Sequence, residues 1–131
     1  MLMGKIFEFD SQVYPLMVWV CVEPAITILK NRFEVMDEDD ETKFNPFTDD
    51  TIRPYWGACR ITVREIKTGK VGCLIAIMHP SSVTVGQIAH EGCHAYDDFC
   101  VLLKLPSTGE ARAYLTEWIT DRVYDVFMNK T

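Results

Sequence analysis

The run Val71 to Met78 (VGCLIAIM) is almost entirely apolar. As a strand it can face water on neither side, so it belongs at the centre of a sheet covered on both faces. Its neighbours agree. Ala58 to Ile66 (ACRITVREI) alternates, with Ile61, Val63 and Glu65 on one face and Arg60, Thr62 and Arg64 on the other. Between the two lies Lys67-Thr68-Gly69-Lys70, a turn with glycine where a positive φ is needed. After the apolar run, Thr84 and Gln87 have the spacing of a capping box and open a helix from Val85 to between Asp98 and Lys104. Leu105-Pro106-Ser107-Thr108 breaks it, and Ser107 or Thr108 is expected to cap a last helix over residues 109–128. Tyr114, Leu115, Trp118, Ile119, Val123 and Phe127 recur there at spacings of three and four, which makes an apolar stripe.

The first half is less regular. Residues 5–9 alternate as a short strand, and residues 13–22 read as a buried strand with Pro15 near its start. Pro24 suits the first turn of a helix over residues 25–33. Residues 37–54 read as a solvated acidic loop, without the spaced ligands and glycine of a calcium-binding loop. At 131 residues the chain is expected to form one domain. The longest apolar run, Leu16 to Val22, is far short of the roughly 20 residues that cross a bilayer. The first ten residues reach Glu8 and Asp10 before any apolar stretch builds, so no signal peptide is expected.

Net charge is −6, and the segment Asp37 to Asp50 alone accounts for it. No basic surface is offered to nucleic acid. Five cysteines, Cys21, Cys59, Cys73, Cys93 and Cys100, include no CxxC pair. They are expected to be free thiols in a reducing cytoplasm, and they exclude a paired-cysteine structural zinc site.

The chemistry lies in His90-Glu91-Gly92-Cys93-His94, an HExxH motif inside the expected helix. Residues i and i+4 share one helix face, so both imidazoles can ligate one Zn²⁺. Glu91 points aside from the metal but within reach of a metal-bound water, for which it would be the general base. Composition alone places such a motif in about 0.5% of chains of this length, and two of the three histidines are in it. Zinc is preferred over iron or manganese on ligand type.

A catalytic zinc site takes a third protein ligand and keeps one position open. Six residues past His94 stands Cys100, and position 97 is Asp, so the longer metzincin pattern is absent. Asp97 and Asp98 suit hydrogen bonds to the histidine N–H groups. The remaining candidates are acids on the last helix: Glu110 in its first turn, and Glu117 and Asp121 near the same face. If the motif helix reaches Lys104 and the last helix returns antiparallel, Glu117 arrives level with His94; if the motif helix stops near Asp98, Glu110 arrives instead. Tyr114 and His79 are candidate donors to the oxyanion of a tetrahedral intermediate. Gly92 is expected to let a neighbouring element approach closely, and Cys93 to be a buried thiol off the metal face. Tyr55, Trp56 and Gly57 are candidates for lining a substrate groove, and the strand Ala58 to Ile66 is a candidate edge for an extended peptide.

The stretch Thr84 to Val123, with TVGQIAHEGCHAYDDF followed by GEARAYLTEWITDRV, resembles small zincin-like metallopeptidases encoded by phages and prophages of gut bacteria. That family looks like a β-hairpin, an HExxH helix, a short connector and a helix opening Glu-x-x-Ala-Tyr-Leu, here Glu110, Ala113, Tyr114 and Leu115. The resemblance implies that Glu110 is the third ligand; where this chain has Glu117 the family often has glycine. Residues 1–50 are not covered. The expectation is therefore an α+β, zincin-like single domain: a small mixed or antiparallel sheet packed on the HExxH helix, closed by the C-terminal helix. His90, His94 and Glu110 would hold Zn²⁺, with Glu91 and Tyr114 catalytic, a peptide as substrate, and neither nucleic acid nor membrane as partner. The rival is a zinc-holding, non-catalytic binding protein on the same scaffold.

Overall fold

The computed structural model describes residues 4–36, 57–105 and 109–128. It is an α+β arrangement. Five strands form one mixed sheet: β1 (Ile6–Asp10), β2 (Met17–Val22), β3 (Phe33–Val35), β4 (Ala58–Glu65) and β5 (Val71–Ile77), in the order β1-β2-β5-β4-β3. Three helices accompany it: α1 (Ile26–Arg32), α2 (Val85–Leu103) and α3 (Glu110–Phe127). The apolar run is the central strand. β5 pairs parallel with β2 and antiparallel with β4, and residues 72–78 are all buried. One sheet face, with Val18, Val20, Ile75 and Ile77, packs on Ile88, Tyr96 and Phe99 of α2 and on Leu115, Ile119 and Val123 of α3. The other, with Trp19, Ile61, Val63 and Leu74, packs on Leu29 of α1 and on Phe33. Each such side chain contributes about 1.5–3 kcal/mol by leaving water. Among the described residues no helix is long and apolar enough to cross a membrane.

The local signals read from the second half of the chain are observed. Gly69 has φ +76 in the β4–β5 turn. Gln87 N–H donates to Thr84 Oγ1 at 3.1 Å and Thr84 N–H to Gln87 Oε1 at 2.9 Å, a complete capping box. Gly109 precedes α3 and occupies its N-cap with φ +95, so no side chain caps the helix as was expected of Ser107 or Thr108; those two lie outside the described residues. The acidic segment 37–54, Tyr55 and Trp56 also lie outside them, while Gly57 is buried.

Three expectations need correction. The strand expected from residue 13 starts at Met17. Asp10 Oδ1 accepts from Gln12 N–H, Ser11 Oγ accepts from the N–H groups of Val13 and Tyr14, and Gln12 sits at φ +63, so residues 11–16 turn instead. α1 stops at Arg32 because Phe33 starts a strand that the sequence did not announce: Phe33 pairs with Glu65 and meets the Trp19 ring edge-on at 4.9 Å. β4 is a free edge only in part, since β3 covers Val63–Glu65; among the described residues its outer side is open over Ala58 to Ile61. Glu65 is buried at that edge and held by Arg32 Nε at 2.7 Å and the Thr68 hydroxyl at 2.6 Å.

Candidate metal centre

The capping box fixes where α2 begins, and thereby the direction in which each motif residue points. His90 is exposed and His94 half-buried, on one face one turn apart. Their Nε2 atoms lie 3.0 Å apart, with ring planes at 80°. Two nitrogens on a tetrahedral zinc, each at about 2.0–2.1 Å, stand roughly 3.3 Å from one another. The pair therefore fits two corners of such a site. Without a metal the same contact is a hydrogen bond, one neutral ring donating to the other. Burial holds the His94 ring below its ordinary pKa, aided by the positive charges of Arg60 and His90 and opposed by Asp97. That favours the neutral imidazole, the form that ligates metals.

Glu91, the next residue of α2, is half-buried. Burial pushes its carboxyl up from the ordinary value; His90 and Arg60 pull it down, and Asp98 adds to the rise. A carboxylate shifted towards neutrality is a better proton acceptor at physiological pH.

Around the motif, arginines take up the acids. Arg60 of β4 reaches Asp98 at 3.0 Å, and Arg112 of α3 reaches Asp97 at 2.9 Å. The two aspartates expected to orient the histidines are thus engaged by guanidinium groups. Arg112 also donates through Nη2 to Cys93 Sγ at 3.0 Å. Cys93 is half-buried at the α2–α3 contact rather than fully buried as expected. Neither arginine was singled out from the sequence; Arg60 was readable only as an outward residue of an alternating strand, Arg112 only as the third residue of GEARAYL.

Gly92 provides the close approach expected of it. A Cβ there would stand 2.3 Å from Thr120 Oγ1 and 3.5 Å from the Thr116 carbonyl oxygen. α3 thus runs antiparallel to α2, with Arg112 level with Asp97 and Thr116 to Thr120 level with Gly92. None of the five cysteines is in a disulfide; Cys21, Cys59 and Cys73 are buried, and burial pushes the thiols of Cys21 and Cys73 up.

Glu110 is the first residue of α3 and is exposed, and Glu117 is exposed two turns later. Among the described residues no third His, Cys, Asp or Glu joins the histidine pair in a set that could hold a metal ion. Tyr114 is 68% exposed and stands outside the apolar stripe, which Val126 joins instead. It lines a cavity with Ser11, Val13, Tyr14 and Trp118, a group that includes neither histidine. His79 lies two residues past β5, tied through its backbone to Gly57 and Ser82. The structure thus brings together His90, Glu91 and His94, and leaves Glu110, Glu117 and Tyr114 apart from them. Compared with family models, with curated proteins and with solved structures, the chain matches none of them.

Proposed function

We infer that the chain is a zincin-like zinc peptidase, with His90 and His94 as metal ligands; Glu110 is the third ligand that the resemblance implies, although among the described residues it stands apart from the pair. One observation carries the reading: two imidazole nitrogens converge 3.0 Å apart on the helix that also carries a carboxylate raised by burial. A zinc held by His90 and His94 with a third ligand would supply a water of lowered pKa and a polarised scissile carbonyl. The rest is the work of side chains. Glu91 accepts the proton of the attacking water and delivers it to the departing amine. The edge of β4, open over Ala58 to Ile61 among the described residues, gives an extended peptide backbone partners. Five cysteines outside any disulfide suit a reducing compartment such as the cytoplasm of a phage's bacterial host.

The rival reading, a zinc-holding binding protein, is favoured by the position of Tyr114, which offers no oxyanion donor at the pair. Metal content per chain, by elemental mass spectrometry, tests the site. About one zinc is expected in the parent, none in His94→Ala, and a loss in Glu110→Gln but not in Glu117→Gln. No metal after zinc is added back overturns the reading. Peptide hydrolysis abolished in Glu91→Gln, with zinc retained, separates peptidase from binder.

A further inference from the structure

Between the turn that follows β1 and the outer side of α3 lies an open cavity of about 100 Å³. Val13 and Tyr14 form one wall, and Ala111, Tyr114, Leu115 and Trp118 the other. The four α3 positions are one helix face, away from the face that meets α2. The Ser11 hydroxyl accepts from the N–H groups of Val13 and Tyr14, and the turn it makes carries both side chains to the cavity. Val13 and Tyr114 remain 69% and 68% exposed, so the mouth is apolar yet open to solvent. Three of the six wall residues are aromatic, and an aromatic ring attracts a cation to its face.

The charges agree. Glu110, Glu117 and Asp121 stand four before, three after and seven after Tyr114, which makes a row along its side of α3. Among the described residues none of the three is in an ion pair, whereas Arg112 and Arg122 are taken up by Asp97 and Asp125. Arg122 itself lies 5.7 Å from the centre of the Trp118 ring. Size narrows the choice of cation. An apolar cavity of about 150 Å³ takes a benzene ring, so this one suits a smaller group. Lysine offers a compact ammonium for the rings and carboxylates and an apolar stem for the aliphatic wall.

We propose that this cavity binds a lysine side chain of a peptide partner, with the ammonium among Tyr14, Tyr114 and Trp118 on the side of the carboxylate row and the stem along Val13 and Leu115. The site needs no zinc, so it stands or falls apart from the peptidase reading.

The test is a titration of the full chain with the acetylated, amidated tripeptide Gly-Lys-Gly, followed by the indole N–H NMR signal of Trp118, which Trp118→Phe assigns. The norleucine tripeptide, similar in shape but uncharged, should bind ~10-fold more weakly. Tyr114→Leu keeps an apolar side chain and removes the ring. It should weaken the lysine peptide ~3–30-fold, the range of one cation–π contact, and Tyr114→Phe should stay within about twofold. Glu117→Gln with Asp121→Asn should weaken binding and reduce its dependence on salt. Tyr114 is exposed, so its variants should fold even where a change at Trp118 does not. Equal binding of the lysine and norleucine peptides overturns the proposal and leaves an apolar contact. Equal binding of the arginine tripeptide overturns the choice of lysine. Tetramethylammonium bound as tightly as the lysine peptide overturns the peptide source and assigns the cavity to a small free cation. An indole signal that no ligand moves overturns the site.

Discussion

Replacing Gly92 with alanine puts the contact between the two helices under direct test. In an exposed helix interior this change stabilises by about 1 kcal/mol, because alanine loses less backbone freedom. Here the added carbon would stand 2.3 Å from Thr120 Oγ1, while Thr120 Cβ, at 3.4 Å, and the Thr116 carbonyl oxygen, at 3.5 Å, are at ordinary contact distance. The conflict is thus with one hydroxyl and amounts to about 1.1 Å of overlap. Either Thr120 leaves its rotamer or α3 moves away from α2. Overpacking of this kind costs about 1–3 kcal/mol, which outweighs the propensity gain, so a net loss of about 1 kcal/mol is expected. Thr120→Ala removes the hydroxyl and leaves the alanine room. The double variant should regain at least the lost stability, with a coupling of about 1–3 kcal/mol. Urea unfolding of the four proteins measures this. If Gly92→Ala alone is as stable as the parent, Thr120 turns aside freely and the close approach does not set the helix spacing.

Three further outcomes follow from the charges and exposures. The Thr68 hydroxyl and then Arg32 hold the Glu65 carboxyl below its ordinary pKa, against the effect of burial. Its contribution to stability is therefore complete above the ordinary carboxylate range near about pH 4.3 and lost as pH falls through the lowered value; Glu65→Gln should flatten that acid limb, and Arg32→Ala should cost about 1–3 kcal/mol at neutral pH, by chemical denaturation. Glu91 has the opposite sign: burial raises its carboxyl, so the folded state loses stability as pH rises through the raised value. Glu91→Gln should be at least as stable as the parent at neutral pH while losing about 10²–10⁴-fold in peptide hydrolysis, the range for a general base. Tyr114→Phe should leave kcat/KM within about twofold, far from the ~10²–10³-fold loss expected of an oxyanion donor, because the ring lies with Val13 and Trp118 and not with the histidines.

What could be read from the sequence was what neighbouring residues decide between themselves. The burial of Val71 to Met78, the Gly69 turn, the Thr84–Gln87 box and the face shared by His90 and His94 all follow from patterns a few residues long. β3 did not, because three residues carry no periodicity and Phe33 becomes a strand only by meeting Glu65 and Trp19. The start of β2 was misplaced because the Ser11 hydroxyl competes for backbone N–H groups that Val13 and Tyr14 would otherwise give to a sheet. The burial of Glu65 depends on Arg32, 33 residues away. At the site, the histidine pair and Glu91 were legible from helix geometry, whereas Arg60 and Arg112 matter only because β4 and α3 bring them to α2. Tyr114 looked like one of the stripe, but a helix stripe has edges, and only the fold decides which residue falls outside.

The parallel pairing of β2 with β5 also governs how the chain reaches this state. It joins Met17 to Gly72 and Val22 to Ile77, each pair 55 residues apart. The hairpin of β4 and β5 closes over a short turn, and hairpins form in about 1–10 μs; the β2–β5 ladder must first close a long loop, which slows folding. The hairpin with α2 and α3 is therefore the expected nucleus, and β1 and β2 the late arrivals. During synthesis, at about 5–20 residues per second, Met17 to Val22 would emerge roughly 3–11 s before its partner strand. For that interval six residues destined for burial have β1 on one side and nothing to pair with on the other. Aggregation of the nascent chain is expected to begin there, and a chaperone that binds extended apolar segments would find its first site there.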